Sequence, residues 1–486
     1  MAKRVAVIDI GSNSVRMVVY EKTSRYAFHL LHEEKSRVRI SENAYQHNGN
    51  LQELPMQRTF DALSDFINIS NSFSARKILC VATSALRDAP NKKEFLKRVK
   101  DKLKLNIKII NGEKEAYFGA IACANLLPPL ESALSIDIGG GSTEFTFINN
   151  KDISHILSLN IGTVRLKELY FDNNDIEGAI QYIDSELASL KSLNANTLIG
   201  IGGTFRAISN AIMKQEAYSL DKLHAYEYSN QKLKEFVSKV LDANDDELKN
   251  LNIKTNRFDV IKPGALILLR VINMLKIQNI MTSGVGVREG VYLADLLRSS
   301  KDRFPHNFNT SVKYIIDSHI QDKTFSNNLN SLSKKLFDLT KEYLGLDEIY
   351  RYELALAAKL YPAGSSVHFY SKNKHTYYLI QSALEYGFTH KNITLIATLT
   401  KYAKNRLPAP CHLEKYKDLL PQEETTNALS YLLSLSIALL SHRPKNIDFE
   451  MTFTNGLLEI GTSSSMYLSK DAVEKLNCNK SFVVKF

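Results

Sequence analysis

The stretch "SIDIGGGSTE", residues 135–144, places three consecutive glycines between two carboxylates, Asp137 and Glu144. Consecutive glycines weaken a strand or a helix, because glycine loses the most backbone entropy on folding. A related stretch, "VAVIDIGSNSVRM", occupies residues 5–17. In both stretches an apolar run predicts a buried strand that ends near an aspartate, and a polar turn leads into a second apolar strand. The sequence therefore predicts two similar strand–turn–strand units.

The rest of the first 300 residues alternates between predicted strands and helices. Predicted strands are "KILCVAT" (77–83), "NIKIIN" (106–111), "TLIGIGGT" (197–204) and the start of "NIMTSGVGVREG" (279–290), and predicted helices cover about 52–72, 91–104, 112–127 and the segment "FRAISNAIM". Such alternation is typical of α/β architecture. Because an Asp-Ile-Gly turn followed by a serine occurs twice, at 9–12 and 137–142, we expect two similar halves that face each other.

From residue 301 onward the composition changes. Residues 310 to about 440 are rich in Leu, Ala, Lys and Tyr and predict helices, and the last stretch predicts a small α/β unit. With 486 residues the chain should hold several domains. The predicted boundaries are 1–125 and 126–300 for the two halves, 301–425 for the helical domain and 426–486 for the last unit.

The composition limits the class of protein. It is ordinary for a globular protein, and no apolar run approaches the ~20 residues that a membrane span needs. The four cysteines are scattered, so structural zinc and a disulfide framework are not expected, and we predict a cytoplasmic protein. The net charge of +10 fits a nucleic acid, an acidic surface, an anionic substrate or a basic background. No nucleic-acid-binding motif is evident, so we predict neither a specific nucleic-acid partner nor a membrane partner.

Four glycine-containing turns follow predicted strands. Glycines at such turns let backbone N–H groups approach a phosphate without interference from a Cβ. A single turn of this kind is usually just a turn, but the repetition favours phosphate binding. The turns are Gly11-Ser12-Asn13, Gly139-Gly140-Gly141-Ser142-Thr143, Gly202-Gly203-Thr204 and Gly284-Val285-Gly286.

Asp9 and Asp137 occupy the same place in the two hairpins, at the end of the leading strand. A buried strand end is a costly place for an unpaired carboxylate. Ligation of Mg²⁺ together with a substrate phosphate would compensate both carboxylates. The alternative is that each aspartate only caps its own turn. Because both aspartates precede a predicted phosphate site, we favour the metal.

Seven motifs together resemble the exopolyphosphatase/guanosine pentaphosphate phosphohydrolase family. They are "DIGSNSVRM", "VATSALRDAPN", "GEKEA", "IDIGGGSTE", "GIGGT", "KPGA" and "SGVGVREG", in the family's order. The resemblance implies a duplicated actin-like (ASKHA, ribonuclease H-like) α/β core of two facing subdomains. It also implies a following all-α HD-like domain; the small C-terminal α/β unit is expected after that. Family members remove terminal phosphate from polyphosphate or guanosine pentaphosphate with Mg²⁺.

The resemblance also assigns roles to individual residues. The residues alone leave Glu113 and Glu115 as equal candidates for a general base, and the family pattern selects Glu115. The resemblance pairs Asp137 with Glu144 at the metal and terminal phosphate. It matches arginines of the family motifs, as phosphate or chain ligands, to Arg16, Arg87 and Arg288, with Arg39 and Arg165 as weaker candidates.

The helical region departs from the HD pattern. No His-Asp dipeptide occurs in the sequence, and "KLYPAG" (359–364) places Tyr361 and Pro362 at that point. A second hydrolytic centre is therefore not expected there. The lysines and tyrosines of "FYSKNKHTYY" (369–378) either guide a polyanion or form an ordinary solvated helix face.

The leading hypothesis is a Mg²⁺-dependent phosphohydrolase that uses Glu115 to activate water. One alternative keeps the fold as an ATP-dependent kinase, and another is a non-catalytic protein that binds an alarmone or polyphosphate. The sequence does not decide between polyphosphate and guanosine pentaphosphate, although the charge and the C-terminal extension favour long-chain polyphosphate. A homodimer is expected.

Overall fold

The computed structural model describes residues 3–190, 193–403, 406–476 and 481–486. Cys478 lies outside these residues, and the other three cysteines, Cys80, Cys123 and Cys411, are free thiols. The chain forms two compact units, Met1–Phe308 and Asn309–Phe486. Among the helices of the described ranges, none has both the length and the apolar composition that crossing a membrane requires.

The first unit alternates strands and helices along the chain. Its strands are β1 (Arg4–Ile10), β2 (Val15–Lys22), β3 (Phe28–Ser36), β4 (Lys77–Ala82), β5 (Ile107–Ile109), β6 (Ala133–Ile138), β7 (Thr143–Asn149), β8 (Asp152–Leu159), β9 (Thr197–Ile201), β10 (Tyr226–Ser229) and β11 (Asn279–Thr282). Its α-helices are α1 (Glu53–Ser72), α2 (Ser84–Asp88), α3 (Lys92–Leu103), α4 (Gly112–Leu126), α5 (Thr163–Leu169), α6 (Ile176–Leu187), α7 (Gly202–Gln215), α8 (Asn230–Asp242), α9 (Asp245–Asn250), α10 (Phe258–Met274) and α11 (Val287–Leu296). Short 3₁₀ helices cover Tyr45–His47, Phe171–Asn173, Ala188–Leu190, Thr255–Arg257 and Arg298–Ser300.

Two mixed sheets organise this unit. The first has the order β3-β2-β1-β4-β5 and the second β10-β11-β9-β6-β7-β8. In both, an antiparallel hairpin (β1–β2 or β6–β7) joins a parallel neighbour (β4 or β9) through its leading strand. The predicted duplication is confirmed at the level of strand order. Each sheet also has its own apolar core, which is why each folds as a separate layered half.

The helices α4 and α11 connect the halves by packing on opposite sheets. Helix α4 follows the first sheet but packs on β6, β7 and β8, whereas α11 follows the second sheet and packs on β1. The two helices contact each other closely: a Cβ on Gly290 would lie 1.8 Å from the carbonyl oxygen of Phe118. The predicted boundary at residue 125 stays a prediction, because the chain passes between the halves through these helices.

The strand-to-helix junction after β9 differs from the sequence prediction. The sequence predicts a glycine turn at 202–204 between the strand and the helix, whereas β9 ends at Ile201 and α7 begins directly at Gly202. Gly202 has φ +82°, a left-handed conformation that glycine adopts without strain. This conformation turns the chain sharply from the strand into the helix, so Gly203 and Thr204 belong to the first helical turn.

The second unit is mainly helical. Its elements are α12 (Thr310–His319), α13 (Lys323–Leu344), α14 (Tyr350–Leu360), a 3₁₀ helix at Tyr361–Ser366, α15 (Lys372–Ala383), α16 (His390–Tyr402), α17 (Pro410–Lys415), α18 (Glu423–Leu439), β12 (Phe449–Thr454), β13 (Leu457–Thr462), α19 (Tyr467–Glu474) and β14 (Val483–Lys485). The strands form the sheet β12-β13-β14. One continuous apolar core includes residues of the helices and of this sheet, so the boundary predicted at 425 stays a prediction.

Candidate active site

The two hairpins place chemically different residues at equivalent positions. In the first hairpin Asp9 pairs with Arg16, and in the second Asp137 pairs with Glu144. Both turns close with the same backbone hydrogen bond, from the first turn glycine to the serine three residues later, at 3.2 Å and 2.9 Å. The register therefore fixes a carboxylate and a guanidinium in one half, and two carboxylates in the other.

The glycines of the second turn are needed because the two hairpins approach each other. A Cβ on Gly140 would lie 2.7 Å from Cβ of Ser12, and a Cβ on Gly141 would lie 2.7 Å from Oγ of Ser84. Ser12 and Ser84 also share a hydrogen bond of 3.0 Å between their hydroxyls. The bare backbone at 140–141 thus lets the halves meet, a packing reason beyond the predicted contact with phosphate.

Glu115 lies in the first turn of α4, where Asn111 caps the helix by accepting a hydrogen bond from the N–H of Lys114. Its carboxylate forms an ion pair with Arg87, 3.1 Å from Oε2 to Nη1. Burial, followed by the charge of Glu144, raises the pKa of Glu115 well above its usual range, while Arg87 opposes the rise. The side chain is therefore a strong proton acceptor when it is ionised.

Glu144 is buried close enough for its charge to act on Glu115, and it accepts a hydrogen bond of 2.9 Å from Ser158. Burial raises its pKa to about 7, a rise that the hydroxyl of Ser142 opposes. Two buried carboxylates this close cannot both hold a full charge cheaply near neutral pH. Their proximity therefore raises the proton affinity of the pair, a property that suits a base accepting a proton from water.

Asp9 and Asp137 form the second carboxylate group of the site. Burial raises the pKa of both side chains, that of Asp137 to about 6. Within the described residues, Oδ1 of Asp9 is buried without a hydrogen-bond partner. A Cβ on Gly202 would lie 2.3 Å from Oδ1 of Asp137, so the glycine makes room for that carboxylate. Each aspartate is thus held in an unfavourable environment that a cation would relieve.

Basic side chains occupy the other part of the site. Burial, followed by neighbouring cations, lowers the pKa of Arg16 and of Arg257 to about 10. Lys35 lies at the rim, and its pKa falls to about 8 through loss of solvent and then through the charge of Arg16. Arg206 is held by the carbonyl oxygens of Gly202 and Gly284, at 3.0 and 3.2 Å. Such crowding of cations favours binding of an anion.

These groups surround one central cavity between the sheets. Its lining includes many of the predicted residues: Asp9, Gly11, Ser12, Asn13, Arg16, Glu115, Asp137, Gly139, Gly140, Gly202, Gly203, Thr204 and Arg288. Carboxylates and basic side chains therefore meet in the same space, as phosphate chemistry requires.

The other predicted residues lie outside this lining. They are Glu144, Arg87, Gly141, Ser142, Thr143, Arg39 and Arg165. Arg87 forms an ion pair with Glu115, and Thr143 donates to the carbonyl oxygen of Ile161 at 2.5 Å. The assignment of Glu144 as a metal ligand, and of the others as phosphate or chain ligands, stays a prediction.

Arg39 and Arg165 make contacts between the halves. Arg39 shares the carboxylate of Asp259 with Arg37, at 2.9 Å and 2.7 Å. Arg165 donates to the carbonyl oxygen of Gly141 at 3.0 Å and lies over the ring of Tyr45. The structure gives both arginines a role in joining the hairpin regions, and their predicted role in chain binding is untested.

Sequence reasoning missed three basic residues of the cavity, Lys35, Arg206 and Arg257. Arg206 follows the third glycine turn by two residues, and this position was a usable signal. Arg257 lies between α9 and α10, where "KTNRF" carries no recognisable pattern. A Cβ on Gly203 would lie 2.7 Å from the guanidinium of Arg257, so only the fold brings that residue to the site.

The donor set can accept a magnesium ion only with help from the substrate. Within the described residues, no group of three His, Cys, Asp or Glu side chains forms a complete metal centre. The oxygen of Asp9 that lacks a partner and the nearby Asp137 are hard ligands of the type Mg²⁺ prefers. Because Mg²⁺ commonly binds through one or two carboxylates plus phosphate oxygens and water, these residues fit it.

Two facing sheets with matched hairpins at a shared cavity define the actin-like class of α/β proteins, so the expected fold class is confirmed. The chain belongs to the Ppx/GppA phosphatase family. The family profile matches residues 18–299, and the profile of the family's domain III matches residues 309–471. The chain is accordingly a phosphohydrolase of this family.

Individual relatives agree with this placement. A bifunctional 3-dehydroquinate synthase/phosphatase of Fusobacterium nucleatum is 34% identical over 288 residues, 55% of this chain but only 43% of that protein. A guanosine-5'-triphosphate,3'-diphosphate pyrophosphatase of Photobacterium profundum is 27% identical over 458 residues, 91% of this chain and 87% of that protein. The crystal structure of the Aquifex aeolicus family member has a TM-score of 0.54 and 27% identity, covering 62% of this chain and 99% of the other.

Proposed function

We propose that this protein removes the terminal phosphate from inorganic polyphosphate, from guanosine pentaphosphate, or from both, in a Mg²⁺-dependent reaction. The observation that carries the proposal is the composition of the central cavity. One cavity contains a buried general-base candidate, Glu115, together with Asp9, Asp137 and a set of arginines. This combination suits a highly charged phosphate chain that is attacked by water.

Glu115 accepts the proton of the attacking water. Its ion pair with Arg87 orients the carboxylate, and the raised pKa makes it a better base than an exposed glutamate. The charge of the buried Glu144 raises the proton affinity of Glu115 further. Glu115 lines the cavity, whereas Glu144 does not. This difference supports Glu115 as the carboxylate that contacts the attacking water.

Asp9 and Asp137 would hold Mg²⁺ together with oxygens of the substrate phosphates. The ion would neutralise charge on the phosphates during transfer. Arg16, Arg206 and Arg257 would hold the remaining phosphates of the leaving chain, because a guanidinium binds phosphate oxygens in pairs.

The relatives bear on the choice of substrate. The Photobacterium protein, which aligns with most of this chain, is named for guanosine-5'-triphosphate,3'-diphosphate. The charge of this chain, +10, favours a longer polyanion. We therefore propose activity on both substrates, with the ratio left to measurement. We also propose that the protein is cytoplasmic and forms a homodimer.

The experiment is phosphate release from long-chain polyphosphate and from guanosine pentaphosphate, with Mg²⁺ and no added acceptor. Glu115→Gln should lose ~10²-fold or more in kcat, the size expected for a general base. Glu113→Gln is the matched control, because Glu113 lies in the same helical turn with an exposed side chain. If the wild type binds both substrates but releases no phosphate, the protein is a binding protein and the proposed enzymatic activity is wrong.

A further inference from the structure

A second concave site lies at the far edge of the first sheet, where β1 and β4 begin and β2 ends. We define this edge cavity by Lys3, Arg4, Lys22, Arg76 and Lys77, together with Tyr292 of α11. The sheet itself brings the basic residues together: the N–H of Lys22 donates to the carbonyl oxygen of Lys3 at 3.1 Å, and the N–H of Arg76 donates to that of Arg4 at 3.0 Å.

Two of these cations have acidic partners. Arg4 pairs with Glu21 at 2.8 Å, and Lys77 pairs with Asp295 at 2.5 Å. Asp295 also accepts from Arg298 at 2.8 Å, so that one carboxylate serves two cations. Glu21 and Asp295 are therefore already engaged in ion pairs with other cations.

Lys3, Lys22 and Arg76 have no ion pair in the part of the chain that the structure describes, although all three border the edge cavity. Partial burial lowers the pKa of Lys22, and the charge of Lys3 lowers it further, whereas Asp295, which also lines the edge cavity, opposes the fall. Like charges held together by backbone pairing repel one another, and a bound anion would remove that cost.

Tyr292 provides an independent observation. Its side chain is 1% exposed, and within the described residues its hydroxyl has no hydrogen-bond partner. An unsatisfied buried hydroxyl is costly, and the ring stacks on Tyr20 with 4.5 Å between centroids, which fixes its position. A phosphate oxygen in the edge cavity would accept the missing hydrogen bond.

We propose that the edge cavity binds a condensed phosphate chain at a site separate from the central cavity. Arg4 and Asp9 are five residues apart on β1, which corresponds to about 17 Å along the strand. A long chain can occupy both places at once, whereas a short one cannot. Binding at the edge would then raise the effective concentration of the chain end at the central cavity. The choice of phosphate chain as ligand rests on the proposed function.

The first test measures binding in the Glu115→Gln background, so that turnover is not required. The probes are long-chain polyphosphate, tripolyphosphate and single-stranded RNA. Lys3→Glu/Arg76→Glu should weaken long-chain polyphosphate binding about 10-fold or more at low salt, with a smaller effect at high salt. The matched control is Lys93→Glu/Lys97→Glu, two exposed lysines of α3 with the same change of charge.

Tyr292→Phe separates a ligand contact from a structural role. The hydroxyl has no partner to lose, so the variant should unfold no more easily than the wild type, while polyphosphate binding weakens about 10-fold, as for loss of a hydrogen bond to a charged group. Equal polyphosphate affinity in the wild type and both edge variants would overturn the proposal. Tighter binding of RNA than of polyphosphate, lost in the same variants, would overturn the choice of ligand.

Kinetics provide a second readout if the enzyme turns over. The edge variants should raise KM for long-chain polyphosphate about 10-fold and leave KM for tripolyphosphate, and kcat for both, unchanged. Equal changes for long and short chains would contradict a separate site. Absence of turnover would refute the proposed function alone, because the binding measurements decide the edge cavity independently.

Discussion

Replacing Asp137 with asparagine should make the ligand-free protein more stable, although Asp137 belongs to the candidate site. Burial raises the pKa of this carboxyl from the 3.8 of an exposed aspartate to about 6. The folded state therefore binds the proton more tightly than the unfolded state. The stability that this group contributes is fully present below about pH 4 and is lost as the pH rises through 6. Asparagine resembles the protonated side chain and has no charge to bury.

The expected gain follows from the two pKa values. At about pH 7.5 the difference of about two units corresponds to about 3 kcal/mol, and at about pH 4.5 to about 1 kcal/mol. For a unit of this size, about 3 kcal/mol raises Tm by roughly 5 °C. These values are upper limits, because asparagine does not reproduce every contact of the carboxyl.

The assay is scanning calorimetry in EDTA at both pH values, with Asp65→Asn as the control. Asp65 is exposed on α1, so its replacement should change Tm little at either pH. A gain for Asp137→Asn that is the same at both pH values, or a loss of stability at about pH 7.5, would refute the reasoning from burial. A gain accompanied by loss of activity would fit a site that keeps its charge at the expense of stability.

Three further predictions concern the helices, the base and the metal. Gly290→Ala should destabilise the first unit by about 3 kcal/mol or more in urea unfolding, because the new Cβ would clash with the backbone of Phe118. Gly461→Ala is the control and should change the free energy of unfolding little, because nothing lies within 4 Å of its Cβ. Arg87→Gln should move the acidic limb of the pH–rate profile to higher pH, because Arg87 lowers the pKa of Glu115; an unmoved limb would contradict that coupling. EDTA should abolish phosphate release and Mg²⁺ should restore it, whereas full activity in EDTA would exclude the metal.

The sequence predicted those strands and turns whose local apolar pattern matches their burial in the folded protein. Both hairpins combine largely buried apolar strands with a turn of small residues, and the strand predicted ahead of the three consecutive glycines is β6, Ala133–Ile138. The edge strand β5 was predicted, but the edge strands β3 and β8 were not. β3 ("FHLLHEEKS") and β8 ("DISHILSL") each have one solvent-facing side, and their polar residues obscure the alternation.

Prediction of the site was likewise limited to residues that lie in a recognisable local pattern. Asp9, Asp137 and Glu115 lie in strands, turns or helix starts with their own sequence pattern, and the cavity brings all three together. Arg257 and Lys35 reach it from segments without such a pattern. Their positions depend on how the two halves face each other, which no local periodicity encodes.

The unequal partners in the two hairpins explain why the central cavity combines two chemistries. Asp9 faces Arg16 across the first hairpin, whereas Asp137 faces Glu144 across the second. Had both hairpins carried arginine, the site would bind phosphate but lack the second carboxylate that raises the pKa of Glu115. Had both carried glutamate, five acidic side chains, Glu115 included, would repel the phosphate chain. One arginine and one glutamate at the same register position therefore let a duplicated fold combine a guanidinium suited to an anion with a carboxylate that raises the proton affinity of Glu115.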